Sequence, residues 1–344
     1  MRKIELNDIQ EKIVKDTNSK VVVNSAPASG KTTCLIEKIN FLLSENPSLK
    51  IVAITFTNAA ANNIKRRLNN YNPLNIFVGT IHSYCNRILL GQSVSTKEIL
   101  IKGEFNKLFT LVNQEELIPP EIDFLLLDEA QDSDENQFKF IFNFLKPKKW
   151  IIFSDHRQSI YRWNGAKPEL IIKLIKEKDV VVYNLNKNYR NGKHILQLAK
   201  ETIRKNGEDY FDLSVCCNNN LGEEFSSYSP WKIVEYIKNS YENNLHSTAI
   251  LCRFNKDIEV FEEILYHYNL PYLKLDDLDS LTSDNENIPK IKLTTIHKAK
   301  GLEWDNVVVY GINLYNVEEI CIAYVGFTRA RKNLIWSIKK RFSL

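Results

Sequence analysis

Short apolar runs alternate along the chain with stretches of helical spacing. Val21-Val22-Val23, Ile51-Val52-Ala53-Ile54, Asp123 to Leu127 and Trp150 to Phe153 read as buried strands, as do Thr248 to Cys252, Ile291 to Thr294, Val307 to Tyr310 and Leu334 to Ser337. Runs this short and this apolar suit strands covered on both faces. Between them, Thr32 to Leu43 carries Leu35, Ile36, Ile39, Leu42 and Leu43 at helical intervals, and Ala59 to Leu68 is also helix-like. Strands alternating with helices predict α/β architecture with parallel, doubly wound sheets. A new start at Val180-Val181-Val182-Tyr183 predicts a second such domain, the join falling near 176–182. The expected division is therefore 1–178 and 179–344.

Polar stretches punctuate the pattern. Residues 214–230 hold Asn218-Asn219-Asn220, Gly222, several serines and Pro230, and 276–290 is acidic; both read as surface loops. Residues 91–121 read as a small helical excursion. With 44% hydrophobic and 26% charged residues over 344 positions, both domains can bury cores. A net charge of +4 permits nucleic-acid binding without arguing for it. The six cysteines form no metal-ligand spacing and read as reduced thiols. No run approaches the roughly 18 apolar residues of a membrane helix, and Glu5 precedes any apolar core, unlike a signal peptide. A cytoplasmic protein with no membrane partner is expected. The lysine- and asparagine-rich composition hints at an AT-rich bacterial or viral genome.

Candidate chemistry begins at Ser25-Ala26-Pro27-Ala28-Ser29-Gly30-Lys31-Thr32, between a strand and a helix. Small residues let backbone N–H groups wrap phosphate oxygens. Lys31 would reach the β- and γ-phosphates, and the Thr32 hydroxyl would hold Mg²⁺. Ser25 stands where the strict pattern has glycine. Leu125-Leu126-Leu127-Asp128-Glu129 delivers two acids at a strand end, where open α/β sheets bind ligands. Asp128 suits Mg²⁺, and Glu129 suits activation of water. Adjacent acids can also be a solvated turn; pairing with the P-loop favours ATP. Positive charge for the γ-phosphate could come from Arg190 or Arg329, although a surface arginine is the usual reading.

Taken in order, the motifs resemble those of UvrD-like superfamily 1 helicases. The matching segments are Leu6 to Gln10, the P-loop, Thr55 to Ala61, Gly79 to Ser83, Asp128 to Asp132, Gln158 to Ala166, Asn188-Tyr189-Arg190, Thr294 to Glu303 and Ala323 to Ala330. The resemblance implies two RecA-like P-loop NTPase domains with ATP and Mg²⁺ in the cleft between them. Gln10 would read adenine and Tyr189 would stack on it. Gln158 would sense the γ-phosphate, Glu303 would lie near ribose and phosphate, and Arg190 and Arg329 would be arginine fingers. Phe56, Thr57, Asn58, Thr80, His82, Tyr161, Trp163 and His297 would line a single-strand track. An aromatic face can stack any base, while His82 and His297 could instead be structural.

There are departures. Asn164 stands where the family usually has arginine, Ala59 where it often has lysine, and Thr33 where an arginine near the base is common. Ser154, His156 and Arg157 replace a glycine and acids. The family's two large helical insertions are also missing. The expected activity is ATP-dependent 3′→5′ translocation on single-stranded DNA, of DNA helicase type, on a 3′-tailed or gapped duplex. The alternative is a DNA-gated ATPase switch that recruits a partner. A nucleotide-binding scaffold without turnover is opposed by the joint presence of Lys31, Asp128, Glu129, Gln158, Arg190 and Arg329. Carboxylates outside these motifs show no nuclease-like metal pattern.

Overall fold

Successive residues of the apolar runs face two different cores. Leu125 and Leu127 enter one cluster with Val22, Val52, Ile54 and Ile152. Phe124 and Leu126 enter another with Val21, Val23, Ala53, Ile151 and Phe153. Side chains alternate across a strand, so an unbroken apolar run is what a sheet buried on both faces requires. The structure is a computed structural model describing residues 5–69, 71–207, 214–218, 220–226, 229–275 and 289–338. Most of the acidic stretch 276–290 lies outside the described residues.

The chain divides into two compact units. The first runs to Ser25, then covers Ser29–His156 and Tyr161–Leu185; the second gathers Ala26–Ala28, Arg157–Ile160 and the chain from Asn186 onward. The first unit contains β1 (Lys20–Ser25), β2 (Ile51–Thr55), β3 (Ile76–Thr80), β4 (Phe124–Leu127), β5 (Lys149–Ser154) and β6 (Val181–Leu185). They form one six-stranded sheet ordered β3-β2-β4-β5-β1-β6, parallel throughout. After β1 the chain passes beyond β5 and β4 to lay down β2. That jump is the topological switch that opens a crevice at the carboxyl ends of such a sheet.

Helices α1 (Asp8–Lys15), α2 (Lys31–Glu45), α3 (Asn58–Arg67), α4 (Ile81–Gly91), α5 (Lys97–Lys102), α6 (Lys107–Gln114), α7 (Glu135–Lys139) and α8 (Glu169–Ile175) complete this unit. The stretch read as a helical excursion thus carries α5 and α6. Lys38 of α2 is buried, and its Nζ donates to the carbonyls of Val14, at 3.0 Å, and Asp16. It thereby ties the C-terminal end of α1 to α2. The ammonium lies 5.4 Å from the Phe124 ring centroid, and burial lowers its pKa to about 8.

The second unit holds β7 (Lys187–Asn188), β8 (Val215–Cys216), β9 (Glu223–Ser226), β10 (Thr248–Cys252), β11 (Tyr272–Lys274), β12 (Ile291–Thr295), β13 (Trp304–Ile312) and β14 (Ala330–Ile338). Six of them form a parallel sheet ordered β11-β12-β10-β13-β14-β9, and β7 pairs with β8. Its helices are α9 (Lys193–Ile203), α10 (Pro230–Tyr241), α11 (Asn255–His267) and α12 (Val317–Phe327). The α/β class with parallel sheets is therefore observed twice. Among the described residues no helix is long and apolar enough to cross a membrane.

Two expectations are corrected. The strand at Val181–Leu185 does not open the second domain; it pairs with β1 as the edge strand of the first sheet. Residues 214–230 are not all loop, because Glu223–Ser226 pairs with β14 and forms the second sheet's edge.

Leu126 is fully buried on a central strand. Leu126→Ala should cost about 2–5 kcal/mol through lost transfer energy and a residual cavity. Urea unfolding followed by circular dichroism checks this; a midpoint like the wild type's would contradict the packing described.

Candidate functional site

The P-loop leaves β1 and enters α2 through a backbone that few residues tolerate. Gly30, the N-cap of α2, has φ +86°, and Ala28 has φ +54°. A Cβ at Gly30 would also meet Gln10 Nε2 at 2.6 Å. Gln10 is itself held tightly. Asn7 and Gln10 form a reciprocal capping box at the start of α1, and Gln10 Nε2 donates to the Ser29 carbonyl at 3.0 Å. Gln10 therefore anchors the loop from α1. The Ser29 hydroxyl is buried and finds no hydrogen-bond partner among the described residues, as a group awaiting a polar ligand would. Thr32 occupies the first turn of α2, and Thr33 Oγ1 accepts from Arg67 at 3.3 Å.

β4 delivers Asp128 and Glu129 at the same edge. Lys31 Nζ lies 2.6 Å from Glu129 Oε1. Burial works against the lysine's charge, but Glu129, Asp128 and Asp155 outweigh it and hold its pKa above the ordinary value. Glu129 has φ +53°, a region that costs a side-chain-bearing residue energy and persists where the surroundings fix it. The Glu129 N–H donates to Asp128 Oδ1 and the Asp132 N–H to the Glu129 carbonyl, both at 3.0 Å, and these hold the backbone. Gln131 holds the side chain: its Nε2 donates to Glu129 Oε2, and its Oε1 accepts from the Asp155 N–H at 3.0 Å. Gln131 was not among the sequence candidates. Its position inside Asp128 to Asp132 was the available signal. The hydroxyls of Thr55 and Ser154, ending the strands that flank β4, are buried and find no partner among the described residues. A hydroxyl at Thr32, a carboxylate at Asp128 and unmet polar groups around them fit a hard cation with its waters.

The aromatic candidates of the first unit come together. Phe56 and Tyr161 stack at 5.0 Å, and Tyr161 lies 6.5 Å from Trp163, which is 68% exposed. Gly165, at φ +93°, ends the turn that presents Trp163 and Asn164. The hydroxyls of Thr57 and Thr80 cap α3 and α4, and Asn58 opens α3. His82 contacts Asn106 Oδ1 at 3.2 Å and packs on Phe105 and Phe109; burial lowers its pKa. A cavity of about 130 Å³ is lined by Thr55, Phe56, Thr80, His82, Asp128 and Glu129, among others, so the two acids share one space with Phe56 and His82.

In the second unit, Asn188 and Asn191 are fully buried. Asn188 Oδ1 accepts from the N–H groups of Arg190 and Asn191. Its Nδ2 donates to the Pro27 carbonyl at 3.0 Å. Asn191 Nδ2 donates to the carbonyls of Thr328 and Ala330. This lock presents Tyr189, 48% exposed, whose N–H donates to the Ala28 carbonyl. Arg190 pairs with Glu303 and donates to the Thr328 carbonyl at 3.0 Å. Arg331 also pairs with Glu303, at 2.6 Å. Burial opposes the Glu303 charge, yet the two arginines hold its pKa below the usual carboxylate range. Arg329 is buried, donates to the Val325 and Leu302 carbonyls, and reaches Gln158 Oε1 at 3.3 Å. Lys300 Nζ holds the Gln158 carbonyl at 2.9 Å.

His297 shows burial first, then the Arg253 charge, lowering its pKa to about 4. From the ordinary histidine value of 6.5 down to about 4, the unfolded chain binds a proton that the folded chain refuses. Stability is thus complete above that range and is lost as pH falls through it. Urea midpoints at pH 7 and pH 4.5 should fall less in His297→Gln than in the wild type; equal losses would remove this histidine from the acid response.

The sequence profile of the UvrD/REP helicase N-terminal domain matches residues 6–119 and 104–179, and that of the UvrD-like helicase C-terminal domain matches 273–341. A probable DNA helicase II homolog of Mycoplasma capricolum is 24% identical over 78% of this chain and 51% of its own length. The ATP-dependent DNA helicases PcrA of Bacillus subtilis and Staphylococcus aureus are each 25% identical over 78% of this chain and 50% of theirs. The chain thus spans about half the length of these relatives. With both profiles in family order, and the first alone covering half of the sequence, the chain belongs to the UvrD/REP helicase family.

Proposed function

We propose that this protein is an ATP-driven translocase on single-stranded DNA, stepping 3′→5′, with helicase-type activity on 3′-tailed or gapped duplexes. The observation that carries this reading is the Lys31–Glu129 pair, braced by Gln131, beside a cavity that also meets the aromatics Phe56 and His82. Hydrolytic groups and a base-stacking surface then share one side of the first sheet. Membership of the family and its likeness to ATP-dependent DNA helicases support ATP and DNA as the ligands.

In this reading Ser29, Gly30 and the first turn of α2 wrap the phosphates of ATP with their N–H groups. Lys31 turns from Glu129 to the β- and γ-phosphates. Glu129 then accepts the proton of the attacking water, held in place by Gln131. Thr32 and Asp128 would hold Mg²⁺, which supplies charge for the transferred phosphoryl group. Arg329 and Arg190 supply further positive charge, with Gln158 reporting the γ-phosphate to Arg329. Arg190 can exchange Glu303 for phosphate at modest cost, because Arg331 stays on that carboxylate. Gln10 fixes the loop and Tyr189 offers a ring to the base. Trp163, Tyr161 and Phe56 stack unpaired bases without reading sequence. Phosphate contacts make DNA binding weaken with salt.

A second reading is a DNA-gated ATPase that recruits a partner, motivated by the short stretch between the Gly79 to Ser83 segment and the Asp128 strand, where the family carries a large helical insertion. Directional displacement of a roadblock along single strands separates the two.

ATP hydrolysis should rise with single-stranded DNA and vanish in Lys31→Ala. Glu129→Gln should bind ATP but lose roughly 10²–10⁴-fold in kcat. Near-normal turnover in Glu129→Gln would remove the assigned base, and no DNA stimulation would remove the translocase reading.

A further inference from the structure

The single-strand surface described so far belongs mostly to the first unit. A stepping motor needs a grip on each half, and of the single-strand candidates named above His297 alone falls in the second unit, partly buried and resisting protonation. The end of β10 holds a better candidate. β10 and β12 run side by side with Cys252 opposite Thr295, and the Ile296 N–H donates to the Cys252 carbonyl at 2.9 Å. Arg253 and Phe254 therefore leave the sheet directly beside Ile296 and His297.

Phe254 is 38% exposed and sits where local rules disfavour it. It is the N-cap of α11, with extended backbone and no side-chain cap bond. Ser, Thr, Asp or Asn would satisfy an orphan N–H there, and phenylalanine cannot. It breaks this local rule while keeping 38% of its surface in solvent, as a residue held for a contact outside the fold would. Its surroundings say which. The Arg253 guanidinium lies 4.5 Å from the ring centroid and is fixed by Glu319 through three hydrogen bonds of 2.7–3.1 Å. The ring is thus braced by a group already neutralised. Lys256, 5.7 Å from the same ring, and Lys298 are exposed. Neither has a carboxylate partner among the described residues. An aromatic face flanked by uncompensated lysines is the composition of a single-strand platform.

We propose that Phe254 is the second unit's base platform. It stacks an unpaired nucleobase of single-stranded DNA while Lys256 and Lys298 meet the adjacent phosphates. This rests on the translocase reading above.

The test is titration of the full chain with fluorescently labelled oligo-dT, without nucleotide. Phe254→Leu, which keeps apolar bulk but loses the π-face, should weaken binding on the order of tenfold. Phe254→Trp should bind like the wild type and show added tryptophan quenching on unlabelled oligo-dT. Wild-type affinity in Phe254→Leu, or no added quenching in a Phe254→Trp protein with native circular dichroism, would overturn the platform. A wild type that binds no oligo-dT would instead sink the translocase reading itself.

Discussion

Lys31 and Glu129 stand 2.6 Å apart with most of both side chains out of solvent. Each would be costly to bury alone, so each depends on the other or on a ligand of the same charge. That dependence organises the first unit. Lys31 opens the helix after β1, and Glu129 follows β4, with β5 between the two strands. The parallel sheet with this strand order brings both to its carboxyl edge. Gln10 and Gln131 then hold the two loops from opposite sides, one through the Ser29 carbonyl and the other through the Glu129 carboxylate.

The second unit solves a related problem differently. Arg190, Arg331 and Glu303 form a triad in which one carboxylate serves two guanidiniums. Arg329 is instead satisfied mostly by backbone carbonyls and Gln158. Arg190 shares its carboxylate with Arg331, so it can take a new anionic partner without stranding Glu303.

Much of this was legible in the residues. The runs at Leu125–Leu127 and Trp150–Phe153 announced strands buried on both faces, and the phosphate loop and acids lay at their predicted ends. What was hidden depended on pairing. Val181–Leu185 has a strand's composition, but nothing local says that it pairs with β1. Its half-buried residues are those of an edge, which resembles a fresh start. Glu223–Ser226 has little apolar content and sits among asparagines and serines. Only its partner β14 makes it a strand, since β-structure is decided by neighbours more than by intrinsic preference. Gln131 and the double claim on Glu303 were hidden because a hydrogen bond between distant loops leaves no periodicity in sequence.

The strand order also bears on biosynthesis. β1, whose end carries the phosphate loop, pairs only with β5 and β6, and the latter ends at Leu185. A nascent chain therefore holds its first strand without sheet neighbours until the strands of residues 149–185 have been made. At usual elongation rates that interval is on the order of ten seconds or more. Through that time Val21, Val22 and Val23 have no sheet to join. The part of the fold that is earliest in sequence is thus completed late, which leaves an apolar strand for the cell's chaperones to shield.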